Sequence, residues 1–323
     1  MGEARGVMQL SLPKLGLVAP PGAFRLMLAF AVVLSHMSGF DVGRLAVLLF
    51  FFLSGYWTAR IYQEKFGGNR VGLYYLSRYW RIAPLFFIIT VAAALARNQW
   101  DDMGWTNLTL LGIASWGYDP TGVSWSLDVE LQFYLLLPLA LAFLVRAPKV
   151  TLLASVVIGA FGWWLHERHD IVTVAKFLPV FMLGALTHVA AWKPGNRSAM
   201  LSLGAFIAMT AVTAATPFFR KSTPDPFDHD IWGMIWLLPL LPYVAHSLTI
   251  RSTSFDRHLG NLSYPLYLVH YPVIALMASA YGHGLPSKLA TLVISVILAV
   301  LTYFLLDRPL DRIRVRVTER NSV

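Results

Sequence analysis

The sequence contains no cysteine, which excludes a disulfide framework, a thiolate nucleophile and a thiolate metal ligand, and leaves the redox compartment open. Charge is scarce too. Only 13% of the 323 residues are Asp, Glu, Lys or Arg, against 57% hydrophobic, and mean hydropathy is +0.59. That balance excludes an ordinary soluble domain and a disordered chain alike. There is no internal repeat and no low-complexity linker, and the loops expected around 98–127 and 217–230 are too short to hold a folded domain. The chain reads as a single membrane domain over residues 1–323.

What is present is a succession of apolar runs of membrane-spanning length. They predict an all-α bundle of about ten transmembrane helices, near 22–40, 43–62, 80–97, 128–145, 151–166, 171–191, 199–216, 231–248, 263–281 and 287–306. The fifth is the shortest. A further apolar patch, WTNLTLLGIASWG at 105–117, is too short and polar to span and is expected to lie re-entrant or at the interface. The first run exceeds a signal-peptide core and lacks a small-x-small cleavage site after it, so it is expected to stay as the first helix.

The formal net charge is +9, with a pI near 9.8. The basic residues sit between apolar spans instead of forming one patch, which argues for membrane lipids and topology, with no nucleic acid partner. With both termini cytoplasmic, 19 of the 26 Lys and Arg residues fall on the inner side, as the positive-inside bias requires. That count includes Arg5, Lys14 and Arg320; Arg220 and Lys221 fall outside. The tail DRPLDRIRVRVTER suits an interfacial helix against an anionic leaflet, or simply a topology-fixing basic tail. A homo-oligomer is compatible with this sequence and not specified by it.

Four constellations stand out against the apolar background. In the first span, FRLMLAFAVVLSHMSGF, Arg25 and His36 are eleven positions apart. That is about 16 Å and three turns, so both project from nearly the same face. A charged side chain inside a span costs roughly 2.5–3.5 kcal/mol on insertion scales and ionisable residues including His are rare there, so a function is the default reading. A general base would repay that cost, and a hydrogen bond to a neighbouring helix is the plainer alternative. In YYLSRYWRIAPL, Arg78 and Arg81 stand one turn apart at a helix entrance crowded with tyrosines, near Arg60, Lys65 and Arg70. Guanidinium pairs suit phosphate oxygens arriving from the cytosol.

In GVSWSLDVELQFYLLLPL, Glu130 lies just inside the fourth span and needs a partner, with His36, Lys176 and Arg44 all on the same side; Asp128 falls just outside the apolar run. In LGNLSYPLYLVHYPV, Tyr267 and His270 are three apart on one face of the ninth span, with Ser263 and Tyr264 before them. His166 and His169 in HERHD fall in a short expected outer loop, and His229 in an acidic one. His188 and His246 lie near inner helix ends. No metal site is expected from these.

Taken together, these segments resemble the acyltransferase-3 family of integral membrane acyltransferases, which modify bacterial O-antigen, exopolysaccharides, Nod factors and some antibiotics. The likeness rests on the Arg-x10-His spacing of Arg25 and His36, FFFLSGYW at 50–57, the Arg-x-x-Arg pair Arg78 and Arg81, WSLxxExxFYLLLP from Trp125 to Pro138, SYPLYLVHYP from Ser263 to Pro272, and DRPL near the C-terminus. It implies His36 as the catalytic residue, Arg25 as a residue essential for handling the donor, Arg78 and Arg81 beside the phosphates of acetyl-CoA as co-substrate, and Glu130 as an acidic partner in the site. It leaves Tyr267 and His270 as further donor-contacting residues.

Larger family members carry an appended extracytoplasmic hydrolase-like domain, which this sequence lacks. The resemblance therefore implies an O-acetyltransferase of the bacterial inner membrane acting directly on a polysaccharide or lipid-linked glycan. On this reading His36 deprotonates the acceptor hydroxyl, with a transient acyl-imidazole as the variant. A transporter or flippase for a lipid-linked glycan is the rival from another class, though the inverted repeats and paired broken helices it calls for are missing.

Overall fold

The computed structural model describes residues 18–214 and 229–319. Arg5, Lys14, Arg220, Lys221, Arg320, both chain ends and most of the 217–230 loop lie outside these residues, as do the last two positions of the expected seventh span.

The described chain is helical throughout. It runs α1 (Pro21–His36), α2 (Val42–Ile61, continued by a π-helical turn Tyr62–Phe66), α3 (Val71–Ala96), the short α4 (Trp105–Thr109) and α5 (Ile113–Trp116), α6 (Ser124–Arg146), α7 (Pro148–His169), α8 (Val174–Val189), α9 (Asn196–Ala214), α10 (His229–Leu237), α11 (Leu241–Ser247), α12 (Ser254–Tyr281), α13 (Leu285–Thr302, followed by a π-helical turn Tyr303–Asp307) and α14 (Arg308–Glu319). Each of the ten expected apolar runs coincides with one of these helices or, for 231–248, with α10 and α11 joined by a short 3-10 turn. Among the described residues, six helical segments are long and apolar enough to cross a membrane by themselves: 42–66, α3, α6, α7, α12 and 285–318. The patch at 105–117 forms α4 and α5.

Several boundaries move for local reasons. α1 stops at His36, short of residue 40, because the Ser35 hydroxyl donates to the Phe40 carbonyl and turns the chain at Ser38-Gly39. Its 16 residues make about 24 Å, less than the ~30 Å of a hydrocarbon core. α12 starts earlier than expected, at Ser254, because Thr253 caps it by accepting from the Asp256 N–H at 3.1 Å. His166 and His169, expected in a loop, belong to the last turns of α7, and His229 opens α10. Asp128 lies within α6, fully buried, where it accepts from the Ala114 N–H at the start of α5 and from Gln132.

Two glycine contacts let the central helices close up. α2 crosses α8 where Gly55 meets the Phe181 carbonyl and Gly184 meets the Phe52 carbonyl; a methyl group at either position would overlap backbone. α1 crosses α12 in the same manner, with a Cβ on Gly260 only 2.9 Å from the Gly22 Cα. Small residues at such crossings are what membrane helices use to bring backbones together. Around the first crossing, Phe181 stacks on Phe51 at 4.6 Å and on Phe133 at 4.2 Å between centroids.

Pro138 interrupts α6 and cannot donate to the Tyr134 carbonyl four residues back. The Tyr74 hydroxyl of α3 donates to that carbonyl at 3.0 Å, and Tyr75 donates to the Leu135 carbonyl at 3.1 Å. Freed backbone groups inside a membrane protein are re-satisfied in this way. Two of the tyrosines crowding the α3 entrance thus serve the helix pair.

Candidate functional site

A cavity of about 750 Å³ runs between α1, α2, α3, α6 and α12, with the α11–α12 loop and α14 closing its side. Its lining on α2 extends from Val47 to Ile61, about 21 Å of axial rise. Toward the end where α1 begins and α2 finishes, the walls carry Arg25, Arg60, Arg78, Arg81, Arg251, Arg257 and Arg314, which make this the basic end. Farther in stand Ser54, Ser126, Glu130 and Tyr267.

The local fold explains how these side chains arrive. α1 has no side-chain cap of its own. Asp256 of α12 supplies one, its carboxylate accepting from the Gly22 N–H at 3.1 Å and the Ala23 N–H at 2.8 Å. A carboxylate at a helix N-terminus also meets the positive end of the dipole. This fixes the first turn of α1 and with it Arg25, which has no hydrogen-bond or ion-pair partner among the described residues. Arg78 is 7% exposed, its Nη2 donates to the Ser77 hydroxyl at 3.3 Å, and its Nε has no partner. Arg81 is engaged otherwise. It donates to Asp307 at 2.8 Å and lies over the Tyr264 ring at 5.4 Å.

Glu130 is half-buried on the cavity wall and accepts at 2.6 Å from both the Ser54 hydroxyl of α2 and the Tyr134 hydroxyl one turn along α6. Arg25 lies within its electrostatic reach. The partners expected for Glu130 are occupied elsewhere: Lys176 pairs with Asp230 at 2.7 Å and Arg44 with the same carboxylate at 3.1 Å. His36 is absent from the cavity lining that Glu130 shares.

His36 is the last residue of α1, where the sequence places it inside a run extending to residue 40, and its side chain is exposed on the surface of the bundle. Its ring packs against His270 at 5.3 Å and Tyr271 at 5.2 Å between centroids. His270 is fully buried, with Nδ1 on the Leu266 carbonyl at 3.2 Å and Nε2 unpartnered. Tyr267 lies 5.9 Å from the His270 ring and bonds the Ser126 hydroxyl at 2.7 Å. A continuous line of side chains therefore leads from the cavity wall through Tyr267 and His270 to His36 on the far side.

The structure thus gathers Arg25, Arg78, Arg81, Glu130 and Tyr267 around one cavity and sets His270 and His36 in the layer beyond it. Sequence reasoning missed Ser54, Tyr134, Asp307 and Arg314. Ser54 sits in FFFLSGYW, Tyr134 in the stretch around Glu130 and Asp307 in DRPL, so their motifs were visible; Arg314 lies in the basic tail with no signal of its own.

An apolar helical bundle enclosing an arginine-lined cavity, with imidazoles one layer beyond, defines a multi-helix membrane protein with a basic internal cavity. The sequence model of the acyltransferase domain (acyltransferase-3) matches residues 21–306, and the chain belongs to that family. It is 28% identical over 218 residues to nodulation protein 10 of Rhizobium leguminosarum bv. viciae, covering 62% of this chain and 58% of that protein. It is 23% identical over 304 residues to the peptidoglycan O-acetyltransferase OatA of Listeria monocytogenes serovar 1/2a, covering 78% of this chain and 48% of that protein. The chain spans about half the length of the curated relatives it matches. No solved structure matches it.

Proposed function

We propose that the protein is a bacterial membrane O-acyltransferase that moves an acyl group, acetyl in the first instance, from cytosolic acyl-CoA to a hydroxyl of a cell-envelope glycan. The observation that carries this reading is the 750 Å³ cavity with Arg25, which has no hydrogen-bond or ion-pair partner among the described residues, and the half-satisfied Arg78 on its wall, in a chain of the acyltransferase-3 family. The donor set fits. Guanidinium groups match phosphate oxygens, and the cavity's depth suits a long pantetheine arm. The name of the Listeria relative, an O-acetyltransferase of peptidoglycan, favours acetyl and a glycan acceptor.

In this reading Arg25 and Arg78 hold the donor's phosphates at the basic end, which faces the cytosol in a ten-span inner-membrane topology with both termini inside. Glu130 balances Arg25 in the cavity. His36, exposed beyond His270, takes the proton of the acceptor hydroxyl as its oxygen bonds to the acyl carbon and the C–S bond breaks, releasing the thiolate. For this the acyl end has to pass the buried His270 ring that separates the cavity from His36. The Tyr267 hydroxyl borders this layer and, on leaving the Val123 carbonyl to which it donates at 3.2 Å, donates to the developing oxyanion. His270, between Tyr267 and His36, orients the base.

The test is transfer of radiolabel from acetyl-CoA to glycan in membranes containing the protein. Label on glycan with wild type and none with His36→Ala supports the reading. Equal labelling by His36→Ala removes His36 as the base, and no labelling by the wild type removes the reading.

A further inference from the structure

The C-terminal helix is more than a basic tail. α13 passes into α14 through the π-helical turn Tyr303–Asp307, a widened turn often found at functional sites. At its end Asp307 faces α3, where it accepts from Arg81 at 2.8 Å, with side-chain exposures of 5% and 18%. Seven positions on, Arg314 donates from Nε to Asp311 at 2.9 Å and from Nη1 to the Ser77 hydroxyl of α3 at 2.9 Å, while lining the cavity. Ser77 is fully buried and also accepts from Arg78. Two guanidiniums therefore flank one hydroxyl, and the Arg78 Nε beside them, nine-tenths buried, has no acceptor among the described residues. Arg314 already has Asp311, but Arg78 has no carboxylate partner among the described residues, and a buried guanidinium is costly until an anion joins it.

We propose that α14 is a wall of the donor site, that Arg314 and Arg78 form a phosphate subsite on either side of Ser77, and that the Arg81–Asp307 pair latches α14 in place. The ligand group is a phosphate of the donor's nucleotide, which rests on the acyl-CoA reading above. Arg81 and Asp307 are then positioning residues, and Arg314 a binding residue outside the Arg-x-x-Arg pair.

The test is the affinity of the purified full chain for coenzyme A, by calorimetry, for wild type, Arg314→Ala, Arg314→Lys, Asp307→Asn and the Asp307→Asn/Arg314→Ala double variant, each first checked for a wild-type-like melting temperature. The proposal predicts about tenfold weaker binding for Arg314→Ala and for Asp307→Asn, a smaller loss for Arg314→Lys, and a double variant no weaker than Arg314→Ala, since Asp307 acts through Arg314. Wild-type affinity in Arg314→Ala overturns it and leaves the donor reading intact. Tighter binding by Asp307→Asn overturns the latch, because Asp307 would then be competing with the ligand for Arg81; additive losses overturn it too. Repeating the titrations in vesicles of zwitterionic lipid, with and without anionic lipid, separates sources of phosphate. A defect seen only with anionic lipid assigns Arg314 to a headgroup and overturns the proposal. A wild type that fails to bind coenzyme A at all defeats the donor reading itself.

Discussion

Exposure separates the two imidazoles of the far layer. His36 ends α1 in the open, so replacing it with Phe removes the proposed base without opening a cavity; His270 is fully buried. His36→Phe is expected to cut turnover by about 10²–10⁴, the usual worth of a positioned base, with an unchanged melting temperature. Retained turnover on that background would contradict the assignment. Tyr74 offers a stability test with no catalytic part, because its hydroxyl holds the carbonyl freed by Pro138. Tyr74→Phe should lose about 1–3 kcal/mol, the cost of leaving a buried carbonyl unsatisfied, read as a lower thermal midpoint. The composition around Arg25, His36, Arg78, Arg81 and Glu130 made these residues conspicuous, since ionisable groups in apolar runs are few. Their partners were not readable. Arg81 finds Asp307 across 226 positions and Arg314 finds Ser77 across 237, and nothing in either neighbourhood announces the pairing.

Among the elements, the long apolar runs foretold the helices well because hydrophobic length survives any error in register. Helix ends were less legible. The stop of α1 depends on one Ser35 hydroxyl reaching Phe40, and the start of α12 on the Thr253 cap. The π-helical turn carrying Asp307 has no residue preference that could reveal it. Helix crossings were hidden too, since Gly55 and Gly184 look like any other glycines until α2 and α8 meet. Gly55→Ala and Gly184→Ala are each expected to push these helices apart and lower the melting temperature of the detergent-solubilised protein. Ala at Gly72, which has open space around it, should leave it unchanged. Equal behaviour of all three would refute the close crossing.

For the whole molecule, the absence of cysteine becomes an advantage, because single introduced cysteines report topology without background. In the ten-span arrangement, cysteines replacing Asn69 between α2 and α3 and Lys193 between α8 and α9 should be labelled from the cytosolic side only. Those replacing Asp101 and Glu167 should be labelled from the other side only. Labelling of Asn69 and Asp101 variants from one side would overturn that arrangement. That layout sets the basic end of the cavity and His36 on opposite sides of the bundle, which under the proposed function gives each substrate its own entrance.

The most direct measurement is an experimental structure of the chain with a non-hydrolysable acetyl-CoA analogue. Nucleotide phosphates are expected within hydrogen-bonding reach of Arg25 and Arg78, with the pantetheine arm along α2 and the acyl end passing Tyr267 toward His270 and His36. Nucleotide density at the His36 end, or outside the cavity altogether, would contradict it.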